Sequence, residues 1–282
     1  MLAALALSIP LLAACGSSSG VSVSAPQVAP ARVFSLAGFQ PATPVQAGQP
    51  VTIAFTVQQP NGKPLTRYRT GTGPHTGVHL IIVRDDLAYI IHQHPPIGPG
   101  GLLRQTVTFP APGPYKVLVD VYPNVPGLVP NFQLSREIQV SGAYRPQPLP
   151  PYQAAVTIDG YHIAMQSHPA LHAIQAQFMH AEVTDPAGHP VTFTPWFGAL
   201  AHAIFFRQGS LDYFHTHICA PSAPNCGSLP GVRGSGITGS SAAPGKLTVG
   251  VLLAVPGTWR LFLQMKLAGK IVTAPFTLKV SS

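Results

Sequence analysis

Six histidines stand at spacings that could gather imidazole nitrogens around a metal ion. The segment GVHLIIVRDDLAYIIHQHP carries His79, His92 and His94, and LAHAIFFRQGSLDYFHTHI carries His202, His215 and His217, each 123 residues after its counterpart. In both, an apolar run with one histidine is followed by a second run ending in His-x-His. Each segment reads as a β-hairpin, centred between Asp85 and Asp86 in the first copy and between Gln208 and Gly209 in the second. Gln-Gly suits a two-residue turn, because glycine accepts the positive φ such hairpins need. Those centres set His79 opposite His92 and His202 opposite His215. Side chains alternate along a strand, so His94 shares the face of His92, and His217 that of His215. Opposed Cβ atoms approach to roughly 4.5 to 5.5 Å and diagonal ones to roughly 7 to 8 Å. Three rings can therefore converge and hold zinc, or similarly copper, at about 2.0 to 2.1 Å.

The rest of that face is apolar: Ile81, Val83, Ala88 and Ile90 in the first copy, and Ile204, Phe206, Leu211 and Tyr213 in the second. At the end of a buried face, protonated histidines would repel one another and lose hydration, whereas a metal binds the neutral rings. The plainer alternative is that these rings bond to backbone groups at the rim of a sheet. The expectation is a tri-histidine metal site in each repeat.

The elements that carry these residues are duplicated along the chain. PNGKPLT near residue 60 returns as PAGHPVT, and APGPYKVLVD returns as VPGTWRLFLQ 144 residues later. The second copy thus holds 21 more residues after its His-x-His, in a Gly/Ser/Pro-rich loop with Cys219 and Cys226. Short β-prone runs at 50–58, 77–84, 87–94, 104–109, 115–122 and 134–140 are separated by turn signals such as NGKP and APGP. Frequent Gly and Pro, with only 9% charged residues, favour strands joined by turns over helices. The expected fold is all-β: two tandem β-sandwiches, immunoglobulin-like or cupredoxin-like, spanning 33–142 and 154–282 and joined by a Pro-rich linker at 143–153. Pro-Gly-x-Tyr/Trp before a late strand resembles the corner of such sandwiches.

MLAALALSIPLLAAC at residues 1–15 is an apolar run ending in a lipobox-like Leu-Ala-Ala-Cys. It reads as a bacterial lipoprotein signal, with Cys15 lipidated and residues 16–32 as a flexible tether. The run is too short for the roughly 20 residues a spanning helix needs. An exported chain keeps disulfides, which leaves Cys219 and Cys226 as a local pair, with thiolate ligation of a metal as the alternative. The formal charge of +8 is scattered singly, without an aromatic-interleaved basic run, so nucleic acid is not an expected partner.

The hairpins resemble a group of secreted or lipid-anchored bacterial proteins whose repeats read His-Leu-x3-Arg-x-Asp-Leu-x4-His-x-His-Pro, akin to YtkA-like and FixH-like β-sandwich modules. The match runs through His79-Leu80, Arg84, Asp86-Leu87 and His92-Gln93-His94-Pro95, and more loosely through His202, Arg207, Leu211 and His215-Thr216-His217. The second copy departs from it at Ile218, where the motif has proline. The resemblance implies a sandwich and an association with metal-handling proteins of the envelope.

The functional expectation is a lipid-anchored, extracytoplasmic protein that buffers or delivers copper, with zinc as the alternative. Its partners would be the cell membrane and an envelope metal transporter or metalloenzyme. Imidazole sites favour Cu(II), and Met165, Met179 and Met265 either assist Cu(I) or belong to the core. Two other readings stand beside it: a non-catalytic scaffold with structural histidines, and a zinc enzyme, since His-x-His plus a histidine on the next strand resembles the α-carbonic anhydrase site. A cupin-like site is disfavoured because no Glu follows His-x-His.

Overall fold

The computed structural model describes residues 33–71, 73–127, 129–221, 223 and 237–282. The signal segment 1–15, the tether 16–32, Cys15 and Cys226 lie outside the described residues. The first repeat comprises β1 (Ser35–Gln40), β2 (Val45–Gln46), β3 (Pro50–Gln58), β4 (Val78–Arg84), β5 (Ile90–Gln93), β6 (Leu102–Thr108), β7 (Gly113–Val121) and β8 (Phe132–Ser141). The second comprises β9 (Ala155–Ile158), β10 (Tyr161–Met165), β11 (Leu171–His172), β12 (Gln177–Thr184), β13 (Ala201–Arg207), β14 (Tyr213–Cys219), β15 (Gly239–Ser240), β16 (Lys246–Val251), β17 (Gly257–Leu267) and β18 (Lys270–Ser281).

The first repeat is a sandwich of a three-stranded sheet, β1-β3-β6, and a five-stranded sheet, β2-β8-β7-β4-β5. The second repeats this order with one added edge strand, β9, giving β9-β10-β12-β16 against β14-β13-β17-β18-β11, but its two layers are one continuous sheet. Strand β15 joins them by pairing with both β14 and β16. The chain is thus all-β, with immunoglobulin-like sandwiches in tandem. The expected corner is present in both: Tyr115 Oη donates to the Ala111 carbonyl at 2.9 Å, and Trp259 Nε1 to the Val255 carbonyl at 3.1 Å.

An antiparallel sheet commonly shows one face to water. Strand β4 is buried along its whole length, and β13 nearly so. Alternation sends Val78, Leu80 and Ile82 into the first sandwich core, and Ala201, Ala203 and Phe205 into the second. The opposite faces meet each other. Ile81, Val83, Leu87 and Leu118 of the first repeat pack with Ile204, Phe206, Leu211 and Phe262 of the second as a third, shared core. Both repeats accordingly lie within one compact unit, 33–282. The linker is seated on this junction: Gln147 N donates to Asp86 Oδ2 at 2.8 Å and Leu149 packs on the shared core. Gly113, at φ +128, makes room for the linker's Tyr144 ring, which lies 2.5 Å from where a Cβ would stand.

The hairpin turns differ from the expected two-residue type. Arg84 and Tyr89 close the first and Arg207 and Asp212 the second, each enclosing four residues. The register shifts by two: Ile81 pairs with His92, and His202 with His217 rather than His215. An even shift keeps every side chain on its face. The cause lies in the turns, where Leu87 (φ 62) and Leu211 (φ 55) adopt left-handed backbone and drive their side chains into the shared core. That conformation costs roughly 1–2 kcal/mol per residue, offset by roughly 1.5–3 kcal/mol for burying a leucine. The motif's Arg84 and Asp86 lock the first turn through a buried bidentate pair at 2.8 and 2.6 Å. In the second copy Arg207 instead reaches Asp212 at 3.7 Å, on the surface.

If the shared core holds the repeats together, Phe206→Ala should lower unfolding stability by about 3–5 kcal/mol. The exposed Lys270→Ala should stay within about 0.5 kcal/mol of the parent. Chemical denaturation reads both, and equal effects would contradict the shared core.

Candidate metal centre

The histidines occupy one end of the face that forms the shared core. His79 precedes Ile81 on β4, His202 precedes Ile204 on β13, and the returning strands bring His92, His94, His215 and His217 alongside. Because these two faces oppose each other, the six rings form one cluster drawn from both repeats. The expected arrangement of one site per repeat is replaced by this shared centre. His79 lies with its ring centroid 4.0 Å from His94, 5.0 Å from His215 and 5.5 Å from His217. Across the junction, His92 lies 5.0 Å from His202 and 5.4 Å from His215.

Backbone and amide oxygens fix which nitrogen of three rings is free. His79 Nε2–H donates to the Pro74 carbonyl at 2.8 Å, and His202 Nε2–H to the Trp196 carbonyl at 2.9 Å. A carbonyl only accepts, so each neutral ring keeps its lone pair on Nδ1, turned toward the cluster. His92 is held the other way round: its Nδ1–H donates to Gln264 Oε1 at 3.1 Å, while Gln264 Nε2 donates to Thr273 Oγ1 at 3.0 Å. Its Nε2 is buried without a partner, as are Nε2 of His94 and of His217. An unpartnered buried polar atom costs about 1–3 kcal/mol. Metal-binding histidines characteristically show this pattern, the second ring nitrogen being tied to an oxygen.

Closest of all are His79 Nδ1 to His215 Nδ1, 3.3 Å, and His202 Nδ1 to His215 Nε2, 3.2 Å. Ligands at 2.0–2.1 Å from a tetrahedral ion are separated by about 3.3 Å. In two groups one ring nitrogen from each histidine lies within 4.8 Å of the others: His79, His92 and His215, and His202, His215 and His217. His79, His92, His202 and His217 are buried, whereas His94 and His215 keep partial exposure.

Burial strips hydration from the charged form, and the neighbouring imidazoles add repulsion. His79, His92, His215 and His217 are all held well below the usual histidine range for these reasons. Burial lowers His94 to about 3 and His202 to about 4. The cluster is therefore a set of neutral nitrogen donors at neutral pH, suited to a cation.

Several contributors carried no spacing signal. His75 packs on His217 with ring centroids 4.8 Å apart. Trp196 and Phe197 form a tight turn, with Phe197 at φ 48, that stacks Phe197 on His94 at 3.7 Å. Asp120 pairs with His79 across β4 and β7, and Gln264 with His202 across β13 and β17. Asp120 is buried and accepts from Tyr122 Oη and Asn131 Nδ2, both at 3.4 Å. A lone carboxylate in the apolar run VLVDV was the one visible hint. Met165, Met179 and Met265 all lie in the second sandwich's own core. His180 is exposed, bonded to Thr248. Cys219 ends β14 and is disulfide-bonded.

Below about pH 6.5 the unfolded chain protonates these histidines while the fold keeps them neutral, so the unfolded state binds more protons and stability falls with pH. Each fully buried ring contributes up to about 1.4 kcal/mol per pH unit. The loss continues until the folded state protonates, near 4 at His202 and near 3 at His94. Asp120, raised by burial to about 6, acts in the opposite direction as a single group. The metal-free protein should therefore show a urea midpoint that drops steeply from pH 6.5 to pH 4; a flat or rising midpoint would show the rings are not held neutral.

Comparisons with known proteins bear on the repeat. No curated protein sequence matches the chain. Among solved structures, it is similar to invasin, a bacterial integrin-binding protein, at 16% identity and TM-score 0.23, covering 88% of this chain and 39% of that one. It is also similar to S-layer protein SbsC domains 4 and 5, at 12% identity and TM-score 0.23, covering 88% of this chain and 96% of that one. A Salmonella alpha-2-macroglobulin matches at 13% identity and TM-score 0.26, covering 88% of this chain and 14% of that one. The family model described as a domain of unknown function (DUF8832) matches in two segments, 37–145 and 155–282, which fall on the two sandwiches. These segments make up most of the sequence, and the chain belongs to this family.

Proposed function

We propose that this is a metal-binding protein of the bacterial envelope, anchored by lipid at Cys15, that buffers or delivers copper through the shared histidine cluster. The observation that carries the reading is convergence: six imidazoles from two repeats gather at one centre, and in three of them, His79, His92 and His202, a carbonyl or amide oxygen holds the far N–H so that the lone pair turns inward. A donor set of imidazoles alone suits Cu(II) first in the Irving–Williams order, with zinc as the alternative ion. Thioether help for Cu(I) has no support, since the three methionines are core residues. Holding rather than turnover is favoured by the packing, in which rings stack on one another and on Phe197. The likeness to YtkA-like and FixH-like modules agrees with an envelope metal-handling role, with a transporter or metalloenzyme as the partner.

Titration calorimetry and metal analysis of the full chain with Cu(II) and Zn(II) test this directly. Trp196 lies 5.2 Å from His92 and 5.1 Å from His202, so Cu(II) should quench its fluorescence. Gln264→Leu, which removes the oxygen that orients His92, should weaken binding about 10- to 100-fold. Binding no tighter than that of a His-rich surface would return the cluster to a structural role. Separately, Cys15→Ser should move the protein from the membrane fraction to the soluble fraction; an unchanged distribution would remove the anchor.

A further inference from the structure

His215 differs from the other five histidines in that each of its ring nitrogens faces a separate imidazole. Its Nδ1 stands 3.3 Å from His79 Nδ1 and its Nε2 stands 3.2 Å from His202 Nδ1. Both partners present lone pairs there, because their Nε2–H groups are committed to the carbonyls of Pro74 and Trp196. A neutral His215 owns one N–H and one lone pair. It can donate to one partner, and at the other contact two lone pairs then face each other.

Its counterpart, His92, is not placed this way. His92 gives its Nδ1–H to Gln264, which leaves only Nε2 for the cluster. Gln264 stands on β17 where the first repeat has Asp120 on β7, each paired with the first histidine of its hairpin. Asp120 accepts from Tyr122 and Asn131 instead. At matching positions Gln264 engages His92 whereas Asp120 engages Tyr122 and Asn131, so one histidine is terminal and the other stands open at both nitrogens.

We propose that the cluster holds two metal ions bridged by His215 as an imidazolate, an inference that rests on the metal-binding reading above. His79, His92 and His215 Nδ1 hold one ion; His202, His217 and His215 Nε2 hold the other. These are the two groups whose nitrogens lie within 4.8 Å of one another, and they share His215 alone. His92 and His217 each contribute a buried Nε2 with no other partner. On binding the second ion, the remaining N–H bond of His215 breaks, a metal–nitrogen bond forms with that electron pair, and the proton leaves to solvent. No electron is transferred.

Cu(II) titration of the full chain followed by electron paramagnetic resonance is the test. Two coppers should bind per chain. The integrated signal should rise through the first equivalent and lose most of its intensity through the second, because an imidazolate bridge couples the two spins antiferromagnetically. Filling one position with Zn(II) should restore the signal of an isolated copper. In His215→Ala, checked for folding by circular dichroism, every bound copper should keep its full signal. One copper per chain, or two with undiminished signal in the parent protein, would overturn the bridge while leaving metal binding intact. No copper bound would overturn both.

Discussion

Everything at the histidine cluster depends on one packing constraint: the two five-stranded layers bury their outer faces against each other. Ile81, Val83, Leu87 and Leu118 meeting Ile204, Phe206, Leu211 and Phe262 form a core that neither repeat has alone. Apolar burial at roughly 25 cal/mol per Å² drives such a junction without regard to direction. Direction comes from the strands, whose alternation puts His79 and His202 on the same faces, one step beyond the last aliphatic pair. The histidines thus enter a low-dielectric site as passengers of hydrophobic packing.

That position creates a tension the polar shell only partly resolves. Oxygens of Pro74, Trp196 and Gln264 take the outward N–H groups of three rings. The inward nitrogens face one another, and three Nε2 atoms have no partner. Neutral rings avoid the larger penalty of buried charge, and the inward lone pairs that no N–H reaches are groups a cation could satisfy. Ring nitrogens oriented from outside in this way could hold a metal ion.

The motif residues between the histidines serve geometry. Arg84 and Asp86 clamp the first turn, with Arg84 also over the Tyr89 ring at 4.6 Å, and Asp86 ties the linker down through Gln147. The leucine of each turn, in left-handed backbone, plugs the shared core. These contacts set the four-residue turns, and with them the register that places His94 beside His79 and His217 opposite His202. The second copy keeps the leucine and replaces the buried clamp with a surface pair, so the turn geometry survives a change in the residues that enforce it.

Much of this was legible in the sequence because it is periodic or repeated. The strands, the duplication, the Tyr115 and Trp259 corners and the common face of each histidine triplet follow from alternation and from matching segments, which are local properties of the chain. The parity of His79, His92 and His94 withstood an error of two residues in register, since only an odd shift would reverse a face. The turn length was decided by Leu87 and Leu211 seeking a core that no local window contains. Likewise, the sequence could mark Ile81 and Ile204 as buried but not say against what. Only the tertiary structure determined that the two apolar faces cover each other, merging two expected sites into one and setting His215 between His79 and His202. Contacts between residues more than a hundred positions apart are chosen by which surfaces fit together, and spacing along a chain carries no record of that choice.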